Sequence, residues 1–132
     1  MEVTPAAGRR WLLLDKSALV RAGDISDESL GQPCICAITR LEMLQSARST
    51  ADYQQVEEWL AAFRELRMNA ETTATAVAAH RELGQKGHHR LPIPDLLIAA
   101  CAQQHQAAVL HLDRHYDALA EVLAFEPVRL TP

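Results

Sequence analysis

Short, continuously apolar runs alternate along this chain with longer stretches in which apolar residues return every three or four positions. Residues 11–15, WLLLD, are apolar up to a closing Asp, which predicts a strand covered on both faces. A short helix is predicted over Ser17–Ala22, followed by a loop holding Gly23, Asp24, Ser26 and Asp27. PCICAI, Pro33–Ile38, combines small and β-branched residues as a second buried strand does. Thr39-Arg40-Leu41-Glu42 has the form of a capping box, in which hydroxyl and carboxylate satisfy each other's backbone N–H groups, and so predicts a helix to about Ser46 or Ala47. Between Asp52 and Phe63, the residues Tyr53, Val56, Trp59, Leu60 and Phe63 recur at helical spacing.

Further on, Leu66–Met68 predicts a brief strand, and Glu71 to about Lys86 a helix ending near Gly87. The polar connection HHRLP, residues 88–92, leads into IPDLLIAACAQQHQ, where Pro94 suits a first helical position. That helix is apolar on every side and should be central. Ala108–Asp113, AVLHLD, predicts another strand ending in Asp, followed by a helix over Tyr116–Leu123 and an edge strand over Pro127–Leu130. Strands separated by helices pair in parallel through right-handed crossovers, so the expectation is an α/β protein, a three-layer α/β/α sandwich around a central parallel sheet. Ligands of such folds bind outside the carboxyl ends of the strands, at the switch point of the sheet. Asp15 and Asp113 each fall at such an end.

Length and composition narrow the picture. At 132 residues there is room for one core, so a single domain is expected, with its core over about 11–130. Hydrophobic residues at 48% and charged residues at 23% exclude collagen-like, linker and disordered classes. The longest apolar stretch, Leu96–Ala102, is about a third of the ~20 residues of a membrane helix, and the WLLL after Arg10 is shorter than the ~7–15 residues of a secretory core. A cytoplasmic protein without a membrane span is expected. Three cysteines, Cys34, Cys36 and Cys101, cannot all pair, and no zinc spacing follows them, so buried reduced thiols are expected. Thirteen Lys and Arg against 17 Asp and Glu give a net charge of −4, which offers no global basic field for nucleic acid. If four of the acids surround divalent cations, however, the rest of the chain is neutral.

Four acids stand out by position: Asp15, Glu42 in the first turn of its helix, Asp95 opening the central helix, and Asp113. Each has a local explanation as a helix cap or a partner of the helix dipole. Together they would converge on one crevice and present the hard oxygen ligands that Mg²⁺ or Mn²⁺ takes. Without a cation each like-charged pair at about 4 Å costs on the order of 4 kcal/mol at an effective dielectric near 20. Position alone leaves capping and metal binding evenly matched.

LDKSALVR around Asp15, ITRLEMLQSAR around Glu42, IPDLLIAACA around Asp95 and VLHLDRHYDALAEV around Asp113 resemble, in the same order, the motifs of PIN-domain ribonucleases, specifically VapC-type toxins of bacterial toxin–antitoxin pairs. The resemblance runs from about Trp11 to Leu130. It implies a PIN-like fold and a Mg²⁺- or Mn²⁺-dependent endoribonuclease using one or two ions. The acidic quartet would map onto Asp15, Glu42, Asp95 and Asp113, with Asp15 and Asp95 as first choices for direct ligands. Glu42 and Asp113 would ligate, orient water or act as a base. Ser17 would support the first acid.

This chain departs from the family where many relatives carry Asp or Asn and it has His115; Asp117 could partly substitute. Arg40, Arg90 and Arg114, with Lys16, Lys86, His88 and His89, could form a basic rim for RNA phosphates. The resemblance further implies a VapB-like antitoxin and a homodimer. The Trp59 stripe then has two readings, packing on the domain's own core, which is favoured, or a groove for a partner helix. Two other functions fit the pattern: a degenerate PIN domain that binds without cutting, which His115 favours, and a receiver-like phosphoacceptor domain.

Overall fold

The computed structural model describes residue 5, residues 8–21 and residues 30–130. Five strands, β1 (Trp11–Leu14), β2 (Gln32–Cys36), β3 (Arg64–Leu66), β4 (Ala108–His111) and β5 (Glu126–Arg129), form one sheet in the order β3-β2-β1-β4-β5, and every neighbouring pair is parallel. The chain builds outward from β1 in one direction through β2 and β3, then returns to the other side of β1 with β4 and β5. The switch point therefore lies between β1 and β4, where Leu14 is in register with Leu110. At the entrance to β2, Gly31 has φ +138°, and a side chain there would stand 2.8 Å from the Arg10 carbonyl, so the close approach requires glycine.

Among the described residues six helices cover the sheet: α1 (Lys16–Leu19), α2 (Ala37–Gln45), α3 (Thr50–Leu60), α4 (Ala70–Gln85), α5 (Ile93–His105) and α6 (His115–Leu119). Alternation within the strands sorts the core into two slabs. Leu12, Leu14, Ile35, Ala108 and Leu110 pack with α1, α2 and α3 on one face. Trp11, Leu13, Cys34, Cys36 and Val109 pack with α4, α5 and α6 on the other. The expected three layers are present. Leu12 and Leu13 are each fully buried, and each contributes about 1.5–3 kcal/mol by leaving water. The three cysteines are free and buried, as expected. The central helix is α5, whose Leu96 and Ile98–Ala102 are buried. No helix among the described residues is long and apolar enough to cross a membrane.

Several local expectations give way. The Thr39–Glu42 capping box does not exist: α2 starts at Ala37 with Cys36 as its uncapped N-cap, and Thr39 sits inside the helix, fully buried, with its hydroxyl donating to the Leu14 carbonyl at 2.8 Å. Glu42 thus lies in the second turn of α2. The first residue of α5 is Ile93, with Pro94 second. β2 begins at Gln32 and β3 at Arg64, a little ahead of the predicted strands, and α6 ends at Leu119 rather than Leu123. On α3 only Leu60 is buried; Val56 and Phe63 pack partly on the core, while Tyr53 and Trp59 stay 42% and 41% exposed. The favoured core-facing stripe is therefore split between core and solvent. The predicted loop at Gly23–Asp27 and the end of the first predicted helix at Ala22 lie outside the described residues.

Candidate active site

The carboxyl end of β1 turns directly into α1, and Asp15 forms the junction. Its extended backbone makes it the N-cap of α1, with Oδ1 accepting from the Ala18 N–H at 3.1 Å and from the Ser17 hydroxyl at 2.5 Å. Ser17 Oγ in turn accepts from the Leu112 N–H at 3.2 Å, so the hydroxyl ties the ends of β1 and β4 together through the acid. Capping and membership of an acidic site are not alternatives here. Asp15 does the first while lying, buried, at the switch point.

Across the switch point, the chain leaves β4 at His111 and bends at Asp113, whose Oδ1 accepts from the His115 N–H at 3.0 Å. Asp95 stands in the first turn of α5. His115 Nδ1 is hydrogen-bonded to Asp95 Oδ2 at 3.1 Å and stands 3.0 Å from Asp113 Oδ1, which accepts from the His115 backbone N–H. Asp95, Asp113 and His115 each place a ligand atom within 4.8 Å of the others. Asp15 and Glu42 stand outside this closest group but within its field. The Asp95 carboxyl is pushed above its ordinary range by burial first, against the His115 hydrogen bond, with the charges of Asp113 and Asp15 adding to the rise. Glu42, half-buried on α2, is likewise raised by burial and then by Asp95 and Asp15, with Lys16 pulling the other way. Asp15, Glu42, Asp95 and Asp113, carried by the end of β1, α2, α5 and the turn after β4, are thus linked through one another's charges.

These donors suit a hard divalent cation. They are carboxylate oxygens of like charge, and two of them, on Glu42 and Asp95, are raised by burial first and by the neighbouring acids after it. His115 is the softer member, and it occupies the space between Asp95 and Asp113 as a hydrogen-bond donor.

The remaining expected site residues are placed less centrally. Asp117 is exposed on α6 and does not join the cluster. Lys16 does flank it, close enough to act on Glu42. Arg40, expected on a phosphate rim, instead pairs with Glu65 at 2.7 Å, and Lys86 reaches Glu121 at 4.0 Å. Arg90 and Arg114 are exposed and make no ion pair with another described residue. Three contributors went unforeseen: Thr39, which fixes α2 to the end of β1, and the buried pair His111 and Tyr116 beneath the crevice. A Thr inside a helix and a His inside an apolar strand were the available signals.

An all-parallel α/β/α sandwich with acidic side chains near the switch point of its sheet defines the class of α/β fold to which this chain belongs. Within that class, the PIN domain family matches residues 11–122, and the chain belongs to it. It is 41% identical over 118 residues to Ribonuclease VapC17 of Mycobacterium tuberculosis, covering 85% of this chain and 88% of the relative. It is 38% identical over 133 residues to Ribonuclease VapC2 of the same organism, covering 93% and 94%. Among solved structures, VapBC-5 from Mycobacterium tuberculosis, a toxin–antitoxin complex, superposes with a TM-score of 0.72 at 23% identity, over 92% of this chain and 99% of the matched one. That likeness supports the fold.

Proposed function

We propose that this chain is a single-domain, cytoplasmic Mg²⁺- or Mn²⁺-dependent endoribonuclease, the toxin of a VapBC-type pair. The observation that carries the reading is the convergence of Asp95, Asp113 and His115 within 4.8 Å, with Asp15 and Glu42 acting on them at the switch point. Relatives named as VapC ribonucleases along most of the chain support it. Asp15, Asp95 and Asp113 would hold one or two ions. When bound, such a cation offsets charge on the phosphoryl oxygens and acidifies water.

The chain's own groups do the rest. Ser17 and the Ala18 N–H fix the direction of the Asp15 carboxylate. Glu42, whose carboxyl is raised by burial and by Asp95 and Asp15, is the group assigned to take a proton from water. His115, hydrogen-bonded to Asp95 and in contact with Asp113, orients these two carboxylates, which would hold the ion. Lys16, Arg90 and Arg114 meet RNA phosphates. A VapB-like antitoxin is the proposed protein partner, with the exposed Tyr53 and Trp59 on α3 as apolar surface for it, and a homodimer is the proposed assembly.

The test is cleavage of RNA by the purified chain with sequencing of 5′ ends after induced expression. Asp15→Asn and Asp113→Asn should lower cleavage by at least about 100-fold with the fold intact, and a chelator should stop it until Mn²⁺ or Mg²⁺ is returned. Cleavage that survives chelation sinks the reading. One observation favours the non-cutting alternative: His115 already fills the space between two of the acids. RNA retention without any cut strand in excess Mn²⁺ would select it.

A further inference from the structure

Beneath the acidic crevice lie two buried polar atoms without a hydrogen-bond partner among the described residues, the Tyr116 hydroxyl and His111 Nε2. Both residues are enclosed, 0% and 1% exposed. Their rings stand 4.8 Å apart, and Tyr116 meets Phe125 edge to face at 6.4 Å. A buried donor that nothing accepts costs about 1–3 kcal/mol, and native folds keep few of them. Packing does not explain the hydroxyl, because a phenylalanine ring would make the same contacts with His111 and Phe125.

Both atoms are donors. The Asp113 N–H donates to His111 Nδ1 at 3.1 Å, which leaves the ring proton on Nε2. The Tyr116 phenol is pushed far up by burial and then by the charges of Asp15 and Asp95, so it keeps its proton. Asp15 is the foremost charge acting on both residues. Asp15 is joined to the same strand end: its own N–H bonds the Leu110 carbonyl at the end of β4, and α6, carrying Tyr116, starts four residues after His111 closes that strand. The hydroxyl is close enough to feel this carboxylate most, yet forms no bond of proper geometry to it.

We infer that Tyr116 is a positioning residue, its buried hydroxyl donating to the Asp15 carboxylate from beneath while Ser17 and the Ala18 N–H hold it from the side. The inference rests on Asp15 belonging to the metal-dependent site proposed above. The three donors together aim the carboxylate into the crevice, and removing one lets it turn.

The experiment compares Tyr116→Phe with the unaltered full chain, using Mn²⁺ alone as the probe in calorimetric titration of metal-free protein. Partners that orient metal ligands are typically worth about 10–100-fold in affinity or activity. The expected result is Mn²⁺ affinity weaker by about 10-fold, kcat on a fluorogenic RNA oligonucleotide lower by a similar factor with KM within twofold, and an unchanged or higher Tm. Phe125→Leu disturbs the packing of the Tyr116 ring without touching the hydroxyl, and should lower Tm while leaving Mn²⁺ affinity within twofold. Unchanged Mn²⁺ affinity in Tyr116→Phe, or an equal loss in Phe125→Leu, overturns the assignment. If the unaltered chain binds Mn²⁺ but cuts no RNA, the nuclease reading fails, and the Mn²⁺ titration still decides the role of Tyr116.

Discussion

Asp95→Asn should destroy the proposed activity and at the same time stabilise the metal-free protein. The Asp95 side chain is only 14% exposed and shares the crevice with Asp113, whose oxygen lies within 4.8 Å. At that separation and an effective dielectric near 20, repulsion between the two charges amounts to about 3 kcal/mol. Two effects oppose it. A negative charge in the first turn of α5 gains about 0.3–1 kcal/mol from the helix dipole. The charge-assisted bond from His115 is stronger than the neutral one an amide oxygen would keep, by about 1 kcal/mol. Repulsion together with the cost of burying the charge, which leads the upward displacement of the Asp95 carboxyl, outweighs them, and a net gain of about 1 kcal/mol should raise Tm by about 3 °C. The assay is thermal and urea unfolding at pH 7.5 in chelator, repeated with Mn²⁺. At ten times its Kd, Mn²⁺ should stabilise the unaltered chain by about 1.4 kcal/mol, and the variant much less. A variant less stable than the parent in chelator, or one with the same Mn²⁺-induced shift, would show that Asp95 does not belong to a repulsive, cation-seeking group.

The same displacement has a pH signature. Because Asp95 and Glu42 hold protons to higher pH folded than unfolded, the native state binds more protons between the ordinary values of 3.8 and 4.5 and the raised folded ones, so metal-free stability falls as pH rises through that window and is flat above it. The stability difference between Asp95→Asn and the parent should therefore grow with pH from about 3.5 upward, and a constant difference in urea unfolding would count against the linkage. Thr39→Val should cost about 2 kcal/mol, since it strips the buried Leu14 carbonyl of its 2.8 Å donor where α2 meets β1; a loss under about 0.5 kcal/mol would mean that water or a shift of α2 replaces the bond.

The layering was legible because it is carried by periodicity. WLLL, PCIC and AVLH read as buried strands since both of their faces are covered, and α5 read as central since no side of it is polar. Element boundaries were less legible, and Thr39 shows the physical reason. A Thr three residues before a Glu satisfies the capping pattern, but the pattern records only local donors and acceptors. The helix starts two residues earlier, at Ala37, and the Thr39 hydroxyl donates instead to a carbonyl 25 residues away at the end of β1, a partner that local pattern cannot reveal and whose burial unpaired would be costly.

The site itself was half legible, for a related reason. Residues at strand ends and helix starts announce themselves, and Asp15, Glu42, Asp95 and Asp113 were found on that basis. Their ranking was not available, because it depends on side-chain direction across the switch point. His115 entered as a departure from the family, yet its ring is hydrogen-bonded to Asp95 and its backbone N–H to Asp113. Asp117 was its natural substitute on paper, but α6 turns it outward. Arg40, two positions from a site acid, faces Glu65 on β3 because residues two apart on a helix point about 200° away from each other. Tyr116 could be read only as one more apolar position of a short helix. Its hydroxyl acquires meaning from what encloses it, since a polar atom sealed beneath an acidic crevice is tolerated where the fold needs a donor more than it needs the stability that a phenylalanine would return.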